Sequence, residues 1–166
     1  MEIWKMARIK DVTAYICARY PHKDELSKAR VTKLVYLADW KSAQKNKKQL
    51  TKIEWYFHNY GPYVEAVVDS ALKDPRFNIV STSTMYGDSK TLFKIKSNAD
   101  FERGLSEEER KIIDDVISDT KNLYWDSFIK HVYDTYPIRV TDRHKILNLV
   151  ALAKQESSNK QRQSDV

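Results

Sequence analysis

The 166-residue sequence contains few of the residues that mark several common protein classes. It has three Gly and four Pro, too few for a collagen-like or Gly-rich low-complexity chain. Cys17 is the single cysteine and cannot form an internal disulfide, and no apolar run approaches the ~20 residues that cross a bilayer. The start of the chain, residues 1–4, is too polar to begin a secretory signal. We therefore expect a soluble, cytoplasmic protein with no membrane partner.

The composition predicts one compact domain. Hydrophobic residues make up 42% of the chain and charged residues 31%, which is enough apolar material for a core of ordinary size. Apolar residues recur at helical spacing along most of the sequence and predict an α+β, predominantly α-helical domain over residues 1–154. Residues 155–166 lack apolar anchors, so we expect them to form a flexible polar tail.

Capping signals and periodicity predict several helices. The first is expected over residues 10–20, before Pro21, and Ser27 is placed to cap a long second helix that ends near Asn46. Ser106 and Glu109 form a capping box for a later helix. Two more helices are expected, one over residues 125–132 before Pro137 and one over residues 146–152.

The segment after the second helix is also predicted to be helical. Thr51 and Glu54 match a capping box and predict a short helix over residues 55–58. Gly61 suits a turn, and Pro62 suits the first position of the next helix, where its missing N–H is harmless.

Residues 77–85 and 91–96 are rich in β-branched and aromatic residues and predict one β-hairpin. A helix followed by a hairpin is the arrangement of winged-helix DNA-binding proteins, which makes a DNA-binding transcriptional regulator an alternative function. The exposed face of the helix after Pro62 carries Glu65 and Asp69, whereas recognition helices usually present basic or amide side chains. We therefore rank nucleic acid below protein as a partner.

The net charge of +6 is unevenly distributed along the sequence. Residues 1–60 carry 13 Lys or Arg against 6 Asp or Glu, while residues 98–135 carry 5 against 10. A basic half can attract acidic proteins or nucleic acid. Lys45, Lys47 and Lys48 can equally be solvated residues at a helix end.

The sequence lacks the usual patterns of catalytic or metal-binding residues. One Cys and four scattered His do not form a zinc motif, and there is neither a Gly-rich phosphate loop nor a serine nucleophile elbow. Glu54 and His58 lie four residues apart, which is common on ordinary helix surfaces. We expect no enzyme activity, no metal and no cofactor.

Two short motifs resemble those of a known family. The segment Lys33-Leu34-Val35-Tyr36-Leu37-Ala38-Asp39-Trp40, followed by Trp55 and by Tyr60-Gly61-Pro62-Tyr63-Val64, is similar to the Panacea domain of SocA-like antitoxins from bacteria and phages. The similarity covers roughly residues 10–135 and is strongest over residues 33–72, although the loop at residues 45–49 lacks a Gly that the family often has there. It implies an antitoxin of a two-gene toxin–antitoxin module that binds and neutralises a cognate toxin protein. An adaptor that delivers the bound toxin to proteolysis is a further alternative function.

The motif residues allow two interpretations. Aromatic residues beside charged ones suit the centre of a protein interface, but they suit a buried network of Lys33 with Asp39 or Tyr60 equally well. The oligomeric state and the identity of the toxin are left open. The candidate partner-binding or motif residues are Lys33, Tyr36, Asp39, Trp40, Trp55, Tyr60, Gly61, Pro62 and Tyr63.

Overall fold

The computed structural model describes residues 3–165, with side chains from residue 8 onward. The chain is 54% helical and includes two small antiparallel sheets, which confirms the α+β class. The helices are α1 (Ile3–Arg19), α2 (Lys28–Asn46), α3 (Ala66–Leu72), α4 (Glu107–Thr120), α5 (Trp125–Tyr133), α6 (Tyr136–Val140) and α7 (Leu149–Ser164). The strands are β1 (Trp55–His58), β2 (Gly61–Tyr63), β3 (Phe77–Ser83), β4 (Ser89–Ile95) and β5 (Ile146–Leu147).

Helix α2 is the centre of the fold. Its predicted cap is confirmed, since the Ser27 side chain accepts a hydrogen bond from the backbone N of Arg30, and the helix ends where Lys47 adopts a φ of 57°. Helices α1, α3, α4 and α7 pack around α2. Because α2 has neighbours on every side, even its charged residues Lys33 and Asp39 are buried.

The predicted helix over residues 55–58 is wrong, because this segment forms strand β1 at the centre of a sheet with the order β2-β1-β5. The Thr51 hydroxyl donates to Asp39 and does not cap a helix at Glu54. Pro62 pairs with Phe57 on the edge strand β2, where a missing N–H is tolerated. The next helix therefore begins at Ala66 and not at Pro62.

Strands β3 and β4 confirm the predicted hairpin. Its base is joined to the segment before α2, since the backbone N of Phe93 donates to the carbonyl of Leu26 at 2.9 Å and Phe93 is fully buried. Helix α3 precedes this hairpin, packs on α1 and α2, and exposes Glu65 and Asp69. The helix–hairpin element is therefore present, with an acidic outer face on its helix.

The C-terminal region differs from prediction in three places. Residues 146 and 147 were predicted in the last helix but form β5, which pairs with β1. Pro137 lies in the short helix α6, which was not predicted. Residues 155–164, expected in the flexible tail of residues 155–166, continue α7 as far as Ser164, and Val166 lies outside the described residues.

The two oppositely charged parts of the sequence lie against each other in the fold. The acidic helix α4 faces α1 and α2, where Lys41 Nζ is 3.0 Å from a carboxylate oxygen of Asp119 and Lys45 Nζ is 3.6 Å from one of Asp115. Arg8 forms a further ion pair with Glu109. The charge separation along the sequence is therefore partly neutralised in space. Within residues 3–165, no helix is both long and apolar enough to span a bilayer.

Candidate functional site

Asp39 organises the interior around the first motif. Its fully buried carboxylate accepts hydrogen bonds from the backbone N of Thr51 at 2.9 Å, the Thr51 hydroxyl at 2.5 Å and the Trp55 Nε1 at 2.9 Å. Gln49 Nε2 adds a longer one at 3.3 Å. Burial raises the pKa of Asp39, and the hydrogen bonds from Thr51 and Trp55 oppose that rise by stabilising the carboxylate. This cluster fastens the loop after α2 to both α2 and β1.

Tyr36 makes a second buried connection. Its ring meets the Trp55 ring edge-on with 5.5 Å between centroids, and its hydroxyl lies 2.8 Å from the Thr135 hydroxyl between α5 and α6. Trp40 is also part of the core. Tyr36, Asp39, Trp40 and Trp55 are thus placed to specify the fold, since none of them presents more than a trace of surface to a partner.

Lys33 lies about one turn before Tyr36 and two turns before Trp40 on α2 and is likewise buried. It is 3% exposed, and its Nζ has no hydrogen-bond or ion-pair partner among the described residues, so the Lys33–Asp39 or Lys33–Tyr60 network, one of the two interpretations of the motif, does not form. Burial lowers the pKa of Lys33 to about 8. Lys33 is therefore a partly desolvated amine with no carboxylate of the described residues within 4.0 Å.

Gly61 lies directly against Lys33. Its φ of +105° is a conformation that residues with a Cβ rarely adopt, and a Cβ added there would lie 3.5 Å from Lys33 Cε and 3.5 Å from Tyr133 Cε2. The preceding Tyr60 is 83% exposed, whereas Pro62 is buried and Tyr63 is half-buried. The second motif thus combines a buried turn with an exposed aromatic side chain.

Lys33, Tyr60 and Tyr63 lie in the wall of one groove of about 290 Å³, here called the Lys33 groove. It brings Lys33 of the first motif together with Tyr60 and Tyr63 of the second. Sequence reasoning missed its other members and also Tyr133 and Thr135, which come from the distant C-terminal part of the chain. The groove is lined by Lys33, His58, Asn59, Tyr60, Tyr63 and Glu65.

A second groove of about 360 Å³ lies outside both motifs, beside Glu25, Arg30, Tyr124 and Trp125. Arg30 is buried there, donates to the Tyr20 hydroxyl at 3.1 Å, and lies 5.6 Å from the centroid of the Trp125 ring. Its guanidinium group already has partners, which distinguishes it from the Lys33 amine.

The fold and these grooves define a helix-dominated α+β domain whose signature residues form a buried scaffold beside one surface groove. Residues 31–137 match the family described as "Antitoxin SocA-like, Panacea domain". Because this match spans more than half of the 166 residues, the chain belongs to that family. Neither the curated proteins nor the solved structures gave a match. The matched range contains both motifs and the whole Lys33 groove, while α1 lies before it.

Proposed function

We propose that this protein is an antitoxin that neutralises a toxin protein by direct contact in the cytoplasm, without making or breaking a bond. Membership of an antitoxin domain family supports the general role. The observation that carries the proposal is the placement of Tyr60, which is 83% exposed although the next two residues, Gly61 and Pro62, are buried. A large side chain held out from a rigid turn is well suited to anchor a protein interface, because little conformational freedom is lost on binding.

The surface around Tyr60 has the mixed aromatic character of an interface centre. The rings of Tyr56 and His58 on β1 lie 5.7 Å apart, and those of His58 and of His144, in the turn before β5, lie 6.3 Å apart. Ile146 on β5 is also exposed. A standard interface covers roughly 800 Å² on each partner, and the sheet face with the Lys33 groove supplies its centre.

Co-expression with the protein encoded by the neighbouring gene tests the function. We expect the wild-type chain to restore growth to cells that this neighbour inhibits, and Tyr60→Ala to lose most of that protection. Tyr124→Ala is the matched control, because Tyr124 is equally exposed at 83% but borders the second groove. A neighbour that remains fully toxic beside the wild-type chain would contradict the proposal.

The same strains separate blockade from delivery to proteolysis. If the protein acts by occupying the toxin, the half-life of the toxin is unchanged while its activity falls. If it acts as an adaptor, the half-life shortens when the protein is present.

A further inference from the structure

Lys33 carries a charge that no carboxylate of the described residues neutralises, and its Nζ borders the open space of the Lys33 groove. No carboxylate of the described residues lies within 4.0 Å of its Nζ, although ion pairs elsewhere in the chain form at 3.0 and 3.6 Å. Burying an ammonium without a partner is unfavourable, and a methionine would fill similar space without that cost. The position thus carries a charge that packing alone does not require.

The surroundings of Lys33 suit a carboxylate. Asn59, Tyr60 and Tyr63 line the same groove as Lys33 and bring an amide and two phenol rings to it. Glu65 is the lining carboxylate, but it acts on Tyr63, whose pKa it raises together with burial, and leaves Lys33 unpaired. The groove therefore offers one cation, hydrogen-bonding groups and aromatic walls to an incoming acidic group.

We propose that an Asp or Glu side chain on the toxin surface enters the Lys33 groove and pairs with Lys33 Nζ, with Tyr60 and Tyr63 packed against its aliphatic stem. This inference rests on the proposed antitoxin function. Most of the desolvation of Lys33 occurs on folding. The free energy gained when the toxin carboxylate pairs with Lys33 is therefore offset mainly by the cost of removing water from that carboxylate. A pair of this kind at the centre of an interface favours partners that carry an acid at the matching position.

Nucleic acid phosphate is the other anion that a lysine can bind, and the groove surroundings disfavour it. Glu65 lines the groove, and Asp69 follows on the same exposed face of α3. Phosphate binding relies on several cations in a row along the backbone, whereas these two carboxylates would repel a strand. A single carboxylate of a protein partner can reach Lys33 without the extended contact past Glu65 and Asp69 that a nucleic-acid strand would make.

The groove can be tested without any toxin by two capped amino acids, N-acetyl-glutamate amide and N-acetyl-glutamine amide. We expect the glutamate probe to shift the amide NMR signals of Tyr60 and Gly61 in the wild-type chain, with the glutamine probe giving little shift. In Lys33→Met, the shifts caused by the glutamate probe should disappear. Absence of a shift in the wild type, equal shifts from both probes, or stronger shifts from a short DNA duplex would each overturn the proposal.

A second test measures binding of Lys33 variants to a toxin. For a toxin that the wild-type chain neutralises, Lys33→Met should weaken binding by about 30-fold or more, because the toxin carboxylate then becomes buried without a partner. Thermal unfolding of Lys33→Met checks folding, and Lys33→Gln provides a second uncharged variant. Full neutralisation by both folded variants would overturn the groove proposal and leave the antitoxin function intact. A wild-type chain that neutralises nothing would remove the antitoxin function, while the probe result still reports on the groove.

Discussion

Lys33 and Gly61 are in van der Waals proximity, because Lys33 Cε lies 3.5 Å from the position that a Cβ on Gly61 would occupy. The two residues lie 28 positions apart in sequence and belong to different motifs. Lys33 and the exposed Tyr60 line the same groove, so the two motifs create one surface feature and not two independent ones.

Lys33→Met is expected to stabilise the protein near neutral pH. The pKa of Lys33 falls from 10.5 to about 8, which corresponds to roughly 3 kcal/mol at about 1.36 kcal/mol per pH unit. Below pH 8 the Lys33 amine is charged in both the folded and the unfolded state, so the folded protein bears the full free-energy cost of the desolvated ammonium. Between pH 8 and 10.5 the unfolded state binds more protons, and the wild type therefore gains stability as the pH rises.

Urea unfolding at pH 7 and at pH 10 measures this effect. The advantage of Lys33→Met over the wild type should be largest at pH 7 and shrink by pH 10. Lys52→Met is the control, because Lys52 is exposed and its removal should give a small difference without that trend. A wild-type protein that is more stable than Lys33→Met at pH 7 would show that Lys33 has a favourable partner on folding.

Gly61→Ala should destabilise the fold by about 1–3 kcal/mol, since its φ of +105° is strained for any residue with a Cβ. The neighbouring atoms at 3.5 Å leave room for a methyl group, so backbone strain supplies most of the cost. Gly87→Ala provides a comparison, because Gly87 also has a positive φ but no atom within 4 Å of the added methyl.

Both glycine variants can be compared by urea unfolding and by the NMR response to N-acetyl-glutamate amide. Gly61→Ala should lower both the free energy of unfolding and the response of the groove. Gly87→Ala, at the tip of the β3–β4 hairpin, should leave the groove response unchanged. Equal effects on the groove would argue against a specific role for the backbone at Gly61.

Asp39→Ala is expected to cost about 3 kcal/mol or more of stability, because the donors on Thr51, Trp55 and Gln49 would be left without their acceptor in the interior. Glu54→Ala removes an exposed carboxylate from the same segment and should change stability by less than about 0.5 kcal/mol. Urea unfolding followed by Trp fluorescence measures both. A loss below about 1 kcal/mol for Asp39→Ala would mean that water replaces the carboxylate.

The sequence was sufficient to predict helices with strong local signals. Ser27 and Ser106 cap the helices that their patterns predict, because capping depends on residues three positions away. The segment before β1 led to a wrong helix prediction because Thr51 and Glu54 match a capping box. In the fold, the Thr51 hydroxyl instead donates a hydrogen bond to Asp39, twelve residues earlier. The alternation of Ile53, Trp55 and Phe57 with more exposed residues was the available signal for a strand.

The motif residues of the site could be predicted from the sequence, but the other residues around it and their contacts could not. The resemblance selected Lys33 and Tyr60, and both line the groove. Sequence spacing alone could not show that Lys33 would lack a partner or that Tyr133 would pack on Gly61, because these relationships depend on contacts between distant segments. Strand β5 was missed for the same reason, since it is two residues long and pairs with a strand about ninety positions earlier.

Cys17 should resist thiol reagents in the folded protein. The side chain is fully buried in α1, and burial raises the pKa of its thiol to about 12, so both access and thiolate formation are suppressed at neutral pH. With 5,5′-dithiobis(2-nitrobenzoic acid), the native chain should react at the rate of its transient opening, and urea should release one thiol per chain. Rapid stoichiometric reaction without urea, at a rate independent of added stabilising salt, would show that α1 opens locally from the rest of the core. Slow reaction that follows the global unfolding rate would place α1 in the same cooperative unit as α2, although α1 lies before the matched family range.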